Sequence, residues 1–201
     1  ELPLLHTAGG LVGGDQLSID LNLKAESRSL ITSVAAQKVY GSVGRSRLNP
    51  DGAWSRQGVT CTLDDNSDLE WLPQEMVLYA DALFHQSLRV CLPENASFLS
   101  AEIVRLGRTA AEERLNQGCW RSCLEIQRHG AESPRWELVD RLELGGSSLT
   151  DCHGLAGAPV FGSLVWAAPK PLSPEAISIL LKDARDDRHG LIGTMRCSTL
   201  D

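Results

Sequence analysis

The sequence lacks an excess of basic residues. Its 201 residues contain 19 Lys and Arg against 26 Asp and Glu, which gives a formal net charge of −7. Binding to nucleic acid or to an anionic membrane surface needs a dense basic face. The composition therefore argues against nucleic acid and membranes as partners, and it is compatible with protein partners and metal cations.

A membrane-spanning stretch is also missing. The best apolar candidate, residues 155–168, is short and is interrupted by Gly157, Pro159 and Gly162, whereas a spanning helix needs about 20 apolar residues. The six cysteines are sparse and irregularly placed for a chain of this length. This usage favours reduced thiols and a cytoplasmic location over a disulfide-stapled secreted protein.

Motifs of several common enzyme classes are absent. No two glycines are separated by a single residue, so the dinucleotide-binding fingerprint is missing. Residues 9–14 come closest to a phosphate-binding loop, but Asp15 stands where that loop needs a lysine. The sequence also has no nucleophile-elbow serine, zinc-protease helix motif or cysteine pair at zinc-finger spacing. These absences argue against an ordinary hydrolase or oxidoreductase.

Period-two alternation of apolar and polar residues is the dominant pattern that is present. In residues 16–23, every second residue is Leu or Ile, which predicts a half-buried strand. The same alternation recurs at 59–63, 88–92, 120–126 and 136–144. The chain is therefore predicted to be mostly β, without the interleaved helices of a parallel α/β sheet.

One α-helix is predicted near residue 174. Ser173 is suited to the N-cap, Pro174 to the first helical position, and Glu175 to the positive end of the helix dipole. One face then carries Ile177, Leu180, Leu181 and Ala184. Residues 108–117 have a helix-forming composition but only a weak apolar stripe, so a second helix stays open.

A glycine-rich segment, Gly-Gly-Leu-Val-Gly-Gly-Asp at residues 9–15, precedes the first long strand. Its glycine pairs permit positive φ angles and close backbone approach. Asp15 either accepts hydrogen bonds from the amides of its own turn, which physical chemistry favours, or presents a carboxylate on a rigid loop.

Two further segments combine charged and aromatic residues. Lys38 and Tyr40 share one face of a short predicted strand, at the rim of a sheet. In the segment Glu-Trp-Leu-Pro-Gln-Glu at residues 70–75, the proline is expected to end a strand. Glu70 and Glu75 then either form ion pairs at a rim or line a polar cavity.

Arg108 is followed by Glu112 and Glu113, for which a structural ion pair is the expected role. Thiolates and imidazoles raise the separate question of a metal, because both suit nickel, copper and zinc. Cys119 and Cys123 are interpreted as small buried apolar residues. Cys152 and His153 are adjacent on a predicted turn and can both reach inward, which makes them weak metal candidates.

In this order along the chain, the segments resemble the urease accessory protein family UreD, called UreH in some organisms. The resemblance rests on residues 9–15, 35–42, 70–75 with Ala-Asp-Ala at 80–82, and 102–113, and it runs from His6 to about Trp166. Thr7-Ala8 replaces the family's Pro-Pro or Ser-Pro. Glu112 replaces a family glycine, which is expected to alter the turn before Glu113.

The resemblance implies stacked or solenoid-like β-sheets with one or two α-helices. The family has strands before the glycine motif and a further stretch after the helix, so residues 1–201 are expected to form a single UreD-like domain truncated at both ends. It also implies a non-enzymatic protein that binds UreF, which recruits the GTPase UreG, and docks on apo-urease, in a dimeric assembly with UreF. Nickel would pass from UreG to the urease active site and would be bound only transiently, with no tightly bound cofactor.

A conduit for nickel needs weak, serial ligands, because a closed thiolate site would trap the ion. Carboxylates, water and single imidazoles fit this requirement better than a cysteine cluster. The candidates for a nickel path or an interface are therefore the motif acids Asp15, Glu70, Glu75 and Glu113. The candidates for positioning groups are Lys38, Tyr40 and Arg108.

Three other functions stay open at this point. A pure scaffold would bridge UreF and urease without touching nickel. A metal-dependent hydrolase on a β scaffold would use Asp15, Glu75 and His85 and would hold a stoichiometric metal. A carbohydrate-binding β protein would use some of the five tryptophans.

Overall fold

The computed structural model describes residues 1–130 and 133–187. These residues form one α-helix, α1 (Pro174–Asp186), and two 3-10 turns, Thr109–Ala111 and Gly146–Leu149. They also form twelve strands: β1 (Leu2–Leu4), β2 (Gln16–Leu23), β3 (Arg28–Ser33), β4 (Gln37–Val39), β5 (Ser55–Leu63), β6 (Asp68–Leu72), β7 (Met76–Leu78), β8 (Leu83–Pro93), β9 (Ser97–Leu106), β10 (Cys119–His129), β11 (Arg135–Leu144) and β12 (Val160–Ala167). The predicted mostly β fold is confirmed.

The strands form two sheets, and the chain alternates between them. Sheet A contains β1, β3, β4, β6, β7, β9 and β12, and sheet B has the order β11-β10-β8-β5-β2. Neighbouring strands are parallel from β1 to β9 in sheet A and from β2 to β10 in sheet B. Only β12 and β11, which pair with β9 and β10, are antiparallel. Each coil of the chain thus adds one strand to sheet B and either one strand or two short consecutive strands to sheet A, which is the arrangement of a solenoid.

The turns that lead from sheet B to sheet A also stack from coil to coil. Glu26 and Asn66 occupy equivalent places and have the left-handed φ angles +63° and +54°. The Asn66 side chain donates to Glu26 Oε1 at 2.7 Å, and the Asn66 N–H donates to Asn95 Oδ1 at 3.3 Å. These bonds satisfy turn groups that neighbouring strands cannot reach, so adjacent coils keep one register.

Two apolar cores lie between the sheets, one near each end of the strands. The first core contains residues from the carboxyl ends of the sheet B strands, such as Cys61 and Leu92, with Trp71 and Phe98 of sheet A. The second contains residues from the carboxyl ends of the sheet A strands, such as Leu78 and Leu106, with Phe84 and Trp120 of sheet B. Side chains that belong to neither core occupy the middle of the strands.

Arg128 of β10 closes the first core and is 1% exposed. Its Nη1 donates to the carbonyls of Pro93 and Ala96 at 2.8 and 2.9 Å, in the turn between β8 and β9. Its Nε and Nη2 donate to the Glu137 carboxylate of β11 at 2.5 and 3.1 Å. One guanidinium on β10 therefore satisfies buried carbonyls of the turn between β8 and β9 and a carboxylate of β11.

The chain divides after Ala167, and residues 168–187 belong to a second compact unit. Its helix α1 begins as predicted, because the Ser173 hydroxyl accepts from the Ala176 N–H at 3.2 Å and Pro174 is the first helical residue. The backbone N–H of Glu175 and the Ser173 side chain lower the pKa of the Glu175 carboxyl. Of the predicted apolar face, Ile177, Leu181 and Ala184 are half-buried, whereas Leu180 is exposed.

Residues 108–117 do not form the second α-helix that the sequence left open. Only the single 3-10 turn lies there. No helix in the described ranges is long and apolar enough to cross a membrane. The expectation of one domain over residues 1–201 stays a prediction.

Replacing Arg128 by methionine is expected to destabilise the chain. Removal of one partner of a buried ion pair costs roughly 3–5 kcal/mol, because the Glu137 carboxylate and the turn carbonyls lose their donors. The control is Arg28→Met, which removes the exposed ion pair with Asp68 and should cost about 0–1 kcal/mol. Urea unfolding followed by tryptophan fluorescence measures both, and equal losses would contradict this role of Arg128.

Candidate functional site

The glycine-rich segment forms a closed turn before β2. The Asp15 carboxylate accepts from the Val12 N–H at 2.9 Å, and the Asp15 N–H donates to the Val12 carbonyl at 3.0 Å. The expectation that Asp15 bonds amides of its own turn is confirmed. The role of Asp15 in a nickel path or interface stays a prediction.

Three motif residues and the neighbouring Tyr79 form a cluster where β4, β7 and β9 end, and we call it the motif cluster: Tyr40, Tyr79, Arg108 and Glu113. The two tyrosine rings meet edge to face, with centroids 5.0 Å apart. The Arg108 guanidinium lies 4.4 Å from the centroid of the Tyr79 ring. Its Nε donates to Glu113 at 2.8 Å, and its Nη2 donates to the second Glu113 oxygen. The bond to Arg108 lowers the pKa of the Glu113 carboxyl.

Two glycines make this cluster possible. At Gly10, with φ at +148°, a Cβ would lie 2.7 Å from the Lys38 carbonyl oxygen and 2.8 Å from the Tyr40 ring. At Gly107, with φ at +103°, a Cβ would lie 2.3 Å from the Glu113 carbonyl oxygen. Both positions therefore need glycine for close approach as well as for backbone conformation.

The turn between Arg108 and Glu113 contains a left-handed residue at the position of the replaced family glycine. Glu112 adopts this conformation, with φ at +56° and ψ at 22°, which is uncommon for a residue other than glycine. The Glu113 N–H donates to the Arg108 carbonyl at 3.1 Å. The Arg108–Glu113 pair forms in this turn, and the expected alteration of the turn stays a prediction.

The segment at residues 70–75 interrupts sheet A. Trp71 is buried in the first core, β6 ends at Leu72 as expected from Pro73, and the next strand starts at Met76 in the second core. The Gln74 N–H at this break donates to the Ser33 hydroxyl at 2.9 Å. Both acids of the segment, residues 70 and 75, are exposed.

The remaining candidates do not join the motif cluster. Lys38 is exposed on the outer face of β4. Within the described part of the chain, no ion pair or side-chain hydrogen bond links Lys38, Asp15, Glu70 and Glu75 to one another. The structure thus brings Tyr40, Arg108 and Glu113 together and leaves the other four predicted residues at separate places.

Between the two apolar cores, polar side chains occupy inward-facing positions of successive strands. We call them the polar layer: Gln37, Gln57, Gln86, Ser100, Glu102, Ser122 and Ser163. Strand register sets this layer, because Gln57 pairs with Gln86 and Gln86 with Ser122 across sheet B. In sheet A, Glu102 pairs with Ser163.

Hydrogen bonds link the members of the polar layer. The Gln37 side chain donates to Gln57 Oε1 at 2.7 Å across the two sheets. The Gln86 amide donates to the Glu102 carboxylate and to the Ser122 hydroxyl, the latter at 3.1 Å. Burial raises the pKa of the Glu102 carboxyl, the Gln86 bond lowers it, and the charge of Asp140 raises it further. Glu102 is therefore a carboxyl group whose ionisation is opposed by its surroundings.

A cavity of about 70 Å³ runs through this layer, compared with the roughly 10–15 Å³ that one water molecule needs. Its lining includes all seven polar-layer residues and also Trp71, Pro73, Gln74 and Met76. The sequence left two alternatives for Glu70 and Glu75: ion pairs at a rim, or the lining of a polar cavity. Apolar and amide residues of their segment line the cavity, but the two acids do not.

Thiols and imidazoles form no metal cluster: the described ranges contain no group of three or more His, Cys, Asp or Glu that could hold an ion. Cys119 and Cys123 lie on β10, and burial raises the pKa of both thiols. Cys152 and His153 lie on a turn as expected, but both are exposed rather than directed inward. Their candidacy as metal ligands stays a prediction.

The polar layer was missed by sequence reasoning. Its signal was present in the strands, where Gln57, Gln86 and Ser122 stand at positions that alternation assigns to the buried face. Each interrupts a row that is otherwise mostly apolar. Only strand register shows that the intruders lie at one level of the solenoid.

Comparison with known proteins gives a consistent family. A sequence model of the family described as "UreD urease accessory protein" matches residues 1–200. The chain is 79% identical over 201 residues to the urease accessory protein UreD of Parasynechococcus marenigrum (strain WH8102), covering 100% of this chain and 65% of that protein. It is 70% identical over 204 residues to the UreD of Synechococcus sp. (strain WH7805), covering 100% of this chain and 64% of that protein.

A more distant relative shows the same coverage. The UreD of Prochlorococcus marinus (strain NATL1A) is 51% identical over 201 residues, covering 100% of this chain and 66% of that protein. The chain thus spans about two thirds of the length of the relatives it matches. The resemblance seen in the motifs is confirmed, and the chain belongs to the UreD family of urease accessory proteins.

Proposed function

We propose that this protein is a non-catalytic, cytoplasmic urease accessory protein that carries nickel through the interior of its solenoid. In this function it binds UreF and apo-urease, in a dimeric assembly with UreF, and nickel passes from UreG to the urease active site. The observation that carries the proposal is the hydrogen-bonded polar layer with its cavity between two apolar cores. Apolar side chains at those positions would stabilise a solenoid better than buried amides and a carboxyl.

The donor set of the polar layer suits transient binding of a divalent cation. It offers amide, hydroxyl and carboxylate oxygens, with one acid, Glu102; Cys123 also borders the cavity, and its Sγ donates to Glu125 at 3.6 Å. Oxygen ligands bind nickel more weakly than imidazole and thiolate ligands do. Passage through a channel requires sites that are strong enough to enter and weak enough to leave.

Glu102 is the centre of the proposed path. Its carboxylate accepts from the Gln86 amide, which also donates to the Ser122 hydroxyl. Rotation of these two side chains would turn their oxygens toward a cation. Asp140 contributes negative charge nearby. A cation bound here would compensate the buried negative charge of Glu102. It would thereby offset the effect of burial, which raises the pKa of this carboxyl.

The motif cluster is proposed to contact a protein partner. Its Arg108 side chain is 44% exposed, and its geometry is fixed by Tyr79 and Glu113. Rigid tyrosine and arginine side chains are typical of interface residues that contribute most of the binding energy. This contact would serve a conduit and a pure scaffold equally well, so it does not distinguish them.

Reconstitution of apo-urease tests the accessory function. The full-length protein is mixed with apo-urease, UreF, UreG, GTP, bicarbonate and nickel, and ammonia release is followed with and without it. We expect activation to depend on this protein. Equal activation without it, with the other components shown to be competent, would contradict the accessory function.

Replacing Glu102 by glutamine is expected to lower the initial rate of activation at limiting nickel roughly tenfold, the loss typical for removal of one group that supports a metal site. The control is Asp20→Asn, an exposed acid on the outer face of β2, which should activate normally. Association with UreF and apo-urease is measured for both variants by size exclusion. Full activation by the Glu102 variant, with normal association, would favour the pure scaffold.

The difference in stability between the Glu102→Gln variant and the parent protein is expected to depend on pH in a defined direction. Because the pKa of Glu102 is raised in the folded state, the folded protein holds a proton that the unfolded chain has already lost. Stability of the parent protein therefore falls as pH rises from the ordinary pKa of glutamate through the raised pKa. The variant has no carboxyl at this position and lacks this loss. Its free energy of unfolding in urea, relative to that of the parent protein, should therefore rise with pH. An advantage that is constant or shrinks with pH would contradict the assignment.

A further inference from the structure

Within the residues that the structure describes, the strand β12 lies at an edge of sheet A. Among the described strands it pairs only with β9, and its eight residues contain neither a charged side chain nor proline. The other two long edge strands are charged: β2 contains Asp20, and β11 contains five charged residues. Proteins protect free edges by charge, proline or bulges, because an exposed edge pairs with other chains. An edge strand without this protection is suited to pairing with a strand of a partner protein.

The register identifies the backbone groups at this edge. The Leu106 N–H donates to the Pro159 carbonyl at 2.9 Å, which makes this a hydrogen-bonded pair between the two chain segments. Such pairs alternate along antiparallel strands, so residues 161, 163, 165 and 167 direct their backbone groups toward β9. The N–H and C=O groups that point to the free edge are those of Val160, Gly162, Leu164 and Trp166.

The same residues carry their side chains on the outer face of sheet A. There Leu164 is 71% and Trp166 is 50% exposed, beside Ile103 of β9, which is 55% exposed. The face next to the edge is therefore apolar over several residues. A strand added to this edge would cover it with its own apolar side chains at alternate positions.

One end of the edge is positively charged. Val160 pairs in register with Arg105, which is followed across the sheet by Val77 and Lys38. Arg105 donates to the Thr109 hydroxyl at 3.1 Å, and neither cation takes part in an ion pair within the described ranges. Charge complementarity therefore favours an acidic side chain at the end of the added strand that lies beside Val160.

We infer that the free edge of β12 is a strand-addition site for an extended segment of a partner protein, apolar at alternate positions and acidic at the end beside Arg105. Main-chain hydrogen bonds from four edge residues would supply the affinity, and the exposed face around Leu164 would supply the selection among segments. The choice of probes for this site rests on the proposed function, which names UreF and apo-urease as partners.

Hydrogen–deuterium exchange resolved to single amides tests the inference on the full-length protein. In the protein alone, we expect the amides of residues 161, 163, 165 and 167 to be protected and those of 160, 162, 164 and 166 to exchange fast. Addition of UreF or of apo-urease should slow the second set by at least about tenfold, as pairing does for strand amides.

A pair of variants separates edge pairing from simple contact with the face. Leu164→Lys places a charge at the edge on an exposed side chain and should weaken association about tenfold. Ile103→Lys places the same charge on the same face, one strand away from the edge, and should have a much smaller effect. Equal losses would mean that the partner packs on the face without adding a strand, which overturns the inference.

The other outcomes are equally decisive. Association shown by size exclusion, without slower exchange of the edge amides, overturns the inference and leaves the accessory function intact. Protection of these amides in the protein alone, whether constant or rising with concentration, assigns the edge to the chain itself or to a second copy and also overturns it. If neither probe associates with the protein, the proposed function fails, and the inference that takes its partners from that function fails with it.

Discussion

Parallel pairing in register is the constraint on which the rest of this structure depends. In a stack of parallel strands, the side chains of one level face the interior at the same height in every coil. Pairing of Gln57 with Gln86 and of Gln86 with Ser122 therefore assembles a continuous polar level from residues far apart in the chain. The stacked turns at Glu26 and Asn66 fix this register from outside, and Arg128 fixes it at the end of the first core. A shift of one residue in the register of any one of these strands would turn that strand's member of the polar layer to the outer face.

Several individual elements were predictable from the sequence, whereas their assembly was not. Alternation gave the bounds of β2 correctly, Pro73 gave the end of β6, and Ser173 with Pro174 gave the start of α1, because each of these signals is local. Alternation assigns a residue to a face but does not name the neighbouring strand. The two sheets, and with them the solenoid, came only from the family resemblance. Glu102 was missed for the same reason, since its importance lies in the strands that surround it.

The motif cluster and the polar layer use the family motifs in different ways. In the cluster, the motif residues Tyr40, Arg108 and Glu113 contact one another, and the glycines at positions 10 and 107 are needed because no Cβ fits beside them. In the polar layer, the segment at residues 70–75 acts through its backbone: Pro73 stops the strand, and the break opens the cavity wall. The two acids of this segment therefore do not mark the cavity that the segment helps to line. The sequence treated both acids of this segment as candidates, while its proline and glutamine line the cavity.

The strand β12 connects the two proposals physically. Ser163 and Val165 line the cavity, and between them Leu164 directs its side chain to the outer face and its backbone to the free edge. The last strand of a sheet is held on one side only, so its pairing energy is smaller than that of an interior strand and it opens at lower cost. A partner strand on this edge would hold β12 on both sides and thereby fix the position of Ser163 opposite Glu102. Partner binding and the geometry of the nickel path would then be coupled through a single strand, with no change in the remaining coils.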